Sequence, residues 1–254
     1  MTEYVGAIDQ GTTGTRCLLF DHGGQAVATA YRRHEQLYPE PGWVEHDPLE
    51  LWANTKQVLV EALDGADIAA DQLAALGITN QRETTILWDA ETGEPVHNAI
   101  VWQDRRTTDR IEELESEGKT DWIRERTGLE PDPYFSATKV EWLLANADPV
   151  GTDRGGESLR RRAERGELCF GTVDSWLVYN LTGTHATDVT NAARTMLYDI
   201  HDCAWDDDLL AEFGVPRAIL PEVRPSAEDS YGHTDPDGFL GASVPVAGAL
   251  GDQQ

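Results

Sequence analysis

Three stretches of this 254-residue chain combine side chains able to do chemistry. The first is Asp9-Gln10-Gly11-Thr12-Thr13-Gly14-Thr15-Arg16, which follows the apolar run Val5–Ile8. Glycines and hydroxyls after a strand can bring N–H and O–H groups close to phosphate oxygens. A carboxylate at the strand end, Asp9, is placed to hold Mg²⁺ through water, because that ion favours one or two carboxylates plus substrate phosphates. The spacing and lysine of a Walker loop are missing, and a strand rather than a helix follows, which excludes a dinucleotide fingerprint. An ordinary Gly-rich hairpin turn is the competing reading. The second stretch is Gly77-Ile78-Thr79-Asn80-Gln81-Arg82-Glu83-Thr84-Thr85, with Ile100-Val101-Trp102-Gln103-Asp104-Arg105-Arg106 downstream. Arg82 beside Glu83 sets a donor-only guanidinium against an acceptor-only carboxylate. A polyol hydroxyl does both, so the pair can orient one, and Trp102 can offer an apolar face to its carbons. The competing reading is a surface ion pair and a core tryptophan. The third is Gly251-Asp252-Gln253-Gln254, where Asp252 sits just past an apolar strand and is either held rigidly there or solvated in a turn.

The elements that must position these residues are legible in outline. Val5–Asp9 and Thr15–Phe20 read as strands around the Gly/Thr turn, and Asp21-His22-Gly23-Gly24 as a second turn, so an antiparallel meander opens the fold. Asp47-Pro48-Leu49-Glu50 supplies an N-cap, a first-turn proline and a capping-box acid. Leu51, Trp52, Val58, Leu59 and Leu63 then follow at helical spacing, with Gly65 as the expected stop. Leu73–Thr79 reads as a strand. Thr84–Trp88 and Pro95–Trp102 read as the arms of a hairpin around Asp89–Glu94. Beyond Asp104 the pattern is mostly helical, including Thr172–Leu181. Val150–Glu167, with Arg160-Arg161-Arg162 at its centre, reads as an exposed surface excursion. Val244–Leu250 is a buried-type strand. Strands, then helices, then a strand predict a mixed α/β domain. The chain ends directly after a Gly-Asp turn, and a turn ordinarily leads on, so a piece of a longer protein is expected.

Composition narrows the partners. Asp and Glu total 46 against 20 Lys and Arg, a formal net charge of −26. Such a surface repels nucleic acid and anionic membranes. Eight tryptophans are spread among the acids, unlike a disordered acidic tail, and Lys56, Lys119 and Lys139 are the only lysines. A folded protein of a high-salt cytoplasm is expected, where screening offsets self-repulsion. No apolar run is long enough for membrane insertion, and Met1-Thr2-Glu3 lacks a signal peptide's basic segment. Cys17, Cys169 and Cys203 lack metal-ligand spacing and are expected to be buried free thiols.

Several blocks together resemble the glycerol kinases of the FGGY carbohydrate-kinase family. They are Asp9–Thr13, Pro41-Gly42-Trp43-Val44-Glu45-His46-Asp47-Pro48, Gly77–Thr85, Asn98–Gln103, Asp132-Pro133-Tyr134-Phe135-Ser136, Phe170–Asp174, Thr190–Leu197 and Gly251–Gln254. The resemblance spans nearly the whole chain. It implies an α/β, ribonuclease H-like (actin-like ATPase) domain with a mixed sheet and flanking helices. Residues 1–254 would form the N-terminal glycerol-binding and catalytic domain, and a second domain, absent from this chain, would hold most of the adenine pocket. By the same resemblance, Arg82, Glu83, Tyr134 and Asp252 hydrogen-bond glycerol, Trp102 packs on its carbons and Gln253 lies beside its hydroxyls. Thr12, Thr13 and Arg16 contact the phosphates of ATP, Asp9 lies near Mg²⁺, and Asp252 is the general base. A homo-dimer or tetramer is expected at full length, with no nucleic-acid partner, and the fragment alone is expected to be nearly inert.

Two features depart from the family pattern. Asp235–Ala242 is acidic and lacks the arginine through which some bacterial members bind fructose 1,6-bisphosphate, so that regulation is not expected. The Val150–Glu167 interval is longer than usual. Rival readings are a kinase for another polyol or a ketose such as xylulose, a non-catalytic glycerol-binding fragment, and an actin-like or chaperone ATPase. The last would have no use for the Arg82-Glu83 block.

Overall fold

Alternation of small or apolar residues with polar ones makes Tyr4–Gln10 (β1) a half-buried strand: Gly6, Ile8 and Gln10 are buried while Val5 is exposed. The computed structural model describes residues 3–147, 158–227 and 231–254. In it β1 turns through Gly11–Thr13 into Gly14–Phe20 (β2), and β2 turns into Ala26–Arg33 (β3), forming the expected antiparallel meander. Gly14 is required at the first corner, since a Cβ there would lie 2.4 Å from the Tyr31 hydroxyl and 2.5 Å from the Arg32 carbonyl oxygen. The second corner is tied by Asp21, whose carboxylate accepts from the N–H groups of Gly23 and Gln25.

Pro48–Ala66 (α1) packs on this meander and buries Leu51, Val58 and Leu59. Asp47 caps it by accepting from Leu49 N at 2.8 Å. Glu50 does not close the expected capping box; it accepts instead from Glu35 N at 3.1 Å and so ties the incoming loop to the helix. The helix also passes Gly65 and ends when Asp67 turns left-handed at φ 55°. The reason is Ile68: its N–H bonds to the Leu63 carbonyl while its side chain enters the core, a Schellman-type end that outweighs the glycine signal.

The central sheet has the order Val246–Gly251, Leu73–Asn80, β1, β2, β3. Leu73–Asn80 runs parallel to β1, and Val246–Gly251 parallel to Leu73–Asn80, so the sheet is mixed. Its register sets Gln10 opposite Asn80 and Asn80 opposite Gly251. Three strands therefore end side by side at one edge. One core joins this sheet to α1 and the helix Val173–Thr182, with Trp88 and Trp176 in edge contact at 5.4 Å. A second core, including Ile111, Ile123, Val140 and Phe170, holds the helices Thr108–Ser116, Thr120–Thr127 and Ser136–Asn146.

Other expectations need correction. The hairpin around Asp89–Glu94 is closed only by isolated bridges, Trp88 to Pro95 and Thr85 to Ile100. Pro95 lacks the N–H a continuous ladder needs, and Ile86–Asp89 takes its regular pairing from Leu168–Gly171 instead. The arginine run is not an exposed loop: Leu159–Glu164 is helical and Arg162 is 3% exposed, paired with Asp89 at 2.5 Å. The first part of that interval, residues 148–157, lies outside the described residues. Cys17 and Cys169 are buried, but Cys203 is exposed, in the left-handed turn (φ 51°) between two short strands, Tyr198–Asp199 and Ala204–Trp205.

Candidate active site

The three adjacent strand ends deliver three of the chemically loaded stretches to one place. Asp9–Thr13 follows β1, Gln81–Glu83 follows Leu73–Asn80, and Asp252 follows Val246–Gly251. Backbone bonds pin the exits: Gln81 N donates to Gln10 O at 2.7 Å and Asp252 N to Asn80 O at 3.0 Å. Thr190 accepts from Gly251 N at 2.9 Å and donates to the buried Asp188 carboxylate at 2.7 Å, fixing the approach to Asp252. Gly251 itself must be glycine, because a Cβ would stand 2.5 Å from Arg82 Cδ.

Arg82 Nε lies 3.5 Å from Asp252 Oδ1 and 4.0 Å from Glu83 Oε1, while Arg82 Nη1 donates to Gln254 Oε1 at 3.2 Å. Glu83 is 1% exposed and left-handed at φ 61°, an uncommon state for a side-chain-bearing residue that costs about 1–3 kcal/mol. It is held there from both sides. Thr84 N donates to Arg82 O, and the hydroxyls of Thr85 and Ser136 donate to Glu83 O. The effect is to turn the Glu83 carboxylate toward Arg194, whose Nε donates to it at 2.6 Å.

Aromatic rings wall the cluster. Trp102 and Tyr134 sit 5.4 Å apart between centroids, and the Arg194 guanidinium lies over Phe135 and Tyr134 at 4.9 and 5.7 Å. Trp102 also donates its indole N–H to Thr12 Oγ1 at 2.9 Å, which joins the aromatic wall directly to the Gly/Thr turn. Behind the turn, His34 and Gln36 both donate to the Thr12 carbonyl at 2.9 Å. His46, buried and pushed down to about 3, stays neutral and donates from Nε2 to Gln36.

The charges are tuned by their surroundings. Burial raises the Glu83 carboxyl, and Arg194, Arg82 and Lys139 pull it back toward ionisation. Burial also raises Asp252, Arg82 opposes that, and the nearby Asp9 adds to it. Tyr134 is raised by burial and by Glu83, so it remains a neutral phenol able to donate and accept. Arg82 Nε is buried and has no hydrogen-bond partner of its own. It therefore stands as an unused donor between two carboxylates, the arrangement a small hydroxylated molecule can complete by accepting from the guanidinium and donating to the acids.

Arg82, Glu83, Trp102, Tyr134, Asp252, Thr12 and Asp9 are thus brought together. Arg16 is half exposed with its guanidinium 4.0 Å from Asp9, and Thr13 and Gln253 are exposed. Among the described residues no group of three or more His, Cys, Asp or Glu could hold a metal ion. Asp9 and Asp252 supply two carboxylates, which fits a hard cation that arrives with phosphate oxygens and keeps several waters. Sequence reasoning missed Arg194, although a lone cation amid Ala192-Ala193 and Met196-Leu197 is a signal for a buried acidic partner. It also missed Lys139, one of three lysines retained in an arginine-rich set and fully buried.

Comparison with known proteins identifies the family. The model of the FGGY family of carbohydrate kinases, N-terminal domain, matches residues 4–254. A glycerol kinase of Haloferax volcanii is 70% identical over 253 residues, covering 99% of this chain and 50% of the relative. A glycerol kinase of Haloarcula marismortui is 68% identical with the same coverage. Both relatives come from halophilic archaea, in keeping with the expectation drawn from charge. A crystal structure of Plasmodium falciparum glycerol kinase with ADP superposes with a TM-score of 0.89 at 32% identity, over 99% of this chain and 49% of that one. The chain spans about half the length of the relatives it matches. The fold is accordingly the ribonuclease H-like, actin-like ATPase type read from the sequence motifs. With a family match across residues 4–254, this chain belongs to the FGGY family of carbohydrate kinases.

Proposed function

We propose that this chain is the polyol-binding and catalytic domain of an ATP-dependent glycerol kinase, which forms sn-glycerol 3-phosphate and ADP. The observation that carries the reading is the buried Arg82 Nε, which makes no hydrogen bond although it lies 3.5 Å from the Asp252 carboxylate and 4.0 Å from that of Glu83. In this reading Arg82 donates to the polyol hydroxyls, Glu83 and Tyr134 fix their orientation, and Trp102 covers the carbon chain. Gln253 reaches the same hydroxyls from the adjoining turn. The identity to named glycerol kinases supports glycerol over other polyols.

Phosphoryl transfer to an alcohol requires in-line placement, neutralised phosphate charge and a carboxylate near the attacking oxygen. Asp252 accepts the proton of the terminal hydroxyl as its oxygen bonds to the γ-phosphorus and the bond to the ADP oxygen breaks. A carboxyl raised by burial is better matched to that task than an ordinary one. Thr12 and Thr13 hold phosphate oxygens with N–H and O–H groups, and Arg16 adds a partly exposed positive charge. Asp9 would hold Mg²⁺ through water; that ion, when bound, neutralises charge on the phosphates. The adenine is held by a second domain, and the acting enzyme is cytoplasmic. Among the described residues no helix is long and apolar enough to cross a membrane.

The test is a panel of glycerol, other polyols and pentuloses assayed with excess ATP on the full-length protein, beside residues 1–254 alone. Glycerol should be preferred and the fragment nearly inactive. A pentulose turned over faster than glycerol would overturn the assignment.

A further inference from the structure

Lys139 is fully buried in the helix Ser136–Asn146, and its ammonium meets the carbonyl oxygens of three consecutive residues, Pro133, Tyr134 (2.7 Å) and Phe135 (3.2 Å). An ammonium has three donors and no acceptor, so three carbonyls saturate it only in the protonated form. The segment it gathers carries Tyr134 against Trp102 and Phe135 under Arg194. We infer that Lys139 is a positioning residue of the polyol site, whose bound proton fastens the Pro133–Phe135 segment and thereby sets polyol affinity. This rests on the polyol reading given above.

Loss of that proton would leave two donors and a lone pair facing three carbonyls, and one carbonyl would be left without a donor in a buried site. The groups facing Lys139 are the carboxylates of Asp104, Glu83 and Asp132, which favour its charge, and the Arg106 guanidinium, which opposes it. Burial outweighs them and brings the ammonium down to about 7. The sign follows: affinity is highest below that value and falls as pH rises through it. Ionisation of Glu83 or Asp252 acts in the opposite sense, since it strengthens acceptors as pH rises. Glycerol carries no charge, so any pH dependence of its binding belongs to the protein.

The experiment is calorimetry of glycerol binding to the full-length protein between pH 6 and 9, in buffers of differing ionisation enthalpy, with steady-state kinetics of Lys139→Met. Wild type should lose about tenfold in affinity across the window, one hydrogen-bonded charge's worth of binding. Near pH 8 glycerol binding should take up protons. K139M should raise KM for glycerol by a similar factor, flatten the high-pH limb, and leave kcat and KM for ATP within about threefold. If K139M does not fold, the wild-type affinity profile and proton uptake alone decide. Tight glycerol binding that is independent of pH and without proton uptake overturns the role of Lys139 while leaving the glycerol reading intact. No glycerol binding at any pH, with no glycerol turnover, sinks the glycerol reading itself.

Discussion

Removing Arg194 probes the logic of the site most sharply, because Glu83 is almost fully buried and Arg194 is its nearest cation, at 2.6 Å. Breaking a buried ion pair from one side costs about 3–5 kcal/mol, since the remaining charge is left uncompensated. Here the cost is reduced, because Arg82 stays within 4.0 Å of Glu83 and Arg194 is 26% exposed. We expect Arg194→Met to destabilise the fold by about 2 kcal/mol near pH 8. The pH dependence has a definite sign. Burial lifts the Glu83 carboxyl above its unfolded value, so its ionisation opposes folding as pH rises from the usual carboxylate range through that raised value. Arg194 offsets this, and the loss in R194M should therefore shrink toward pH 5, because a carboxyl raised by burial takes up its proton more readily as pH falls. Urea unfolding in multimolar KCl at both pH values measures the difference. The double variant Glu83→Gln with Arg194→Met should be more stable than R194M alone, because it removes the stranded charge. A loss under about 0.5 kcal/mol, within the ordinary range for surface substitutions, or an equal loss at pH 5 and pH 8 would refute the argument.

Asp252→Asn in the full-length protein should lower kcat by about 10²–10⁴-fold, the usual contribution of a positioned base. Glycerol affinity should change little, because the amide retains an acceptor, and an unchanged kcat removes Asp252 from the base role. Cys203, exposed, should react with a maleimide in the native protein. Cys17 and Cys169, buried and raised to about 12 and about 11, should react only on unfolding, so more than one thiol labelled in native conditions contradicts the packing. With a net charge of −26, the melting temperature should rise from low to multimolar salt, as followed by circular dichroism; equal stability in both would count against a high-salt adaptation.

The sequence by itself determined the antiparallel opening, the cap of α1, the helix around Trp176 and the family. These are local signals: period-two alternation, an Asp-Pro cap and short blocks whose residue types are set by chemistry. Most of the candidate site residues were also readable, because each block keeps its identity wherever the chain carries it. Tertiary structure decided what one-dimensional spacing cannot. The parallel placement of β1, Leu73–Asn80 and Val246–Gly251 brings Asp9, Arg82 and Asp252 to a single sheet edge, although the last strand begins 166 residues after the second ends. Local rules failed where a long-range contact outweighed them. Ile68 entering the core carried α1 past Gly65, and Asp89 drew Arg162 out of an expected surface loop into a buried pair. Arg194 acquires its role only from a partner that folding supplies, a buried carboxylate 111 residues away, whereas Lys139 meets carbonyls that shortly precede it in the chain and owes its role to the burial of that segment. A buried charge is stable only beside such partners, and their identity is a property of the folded chain.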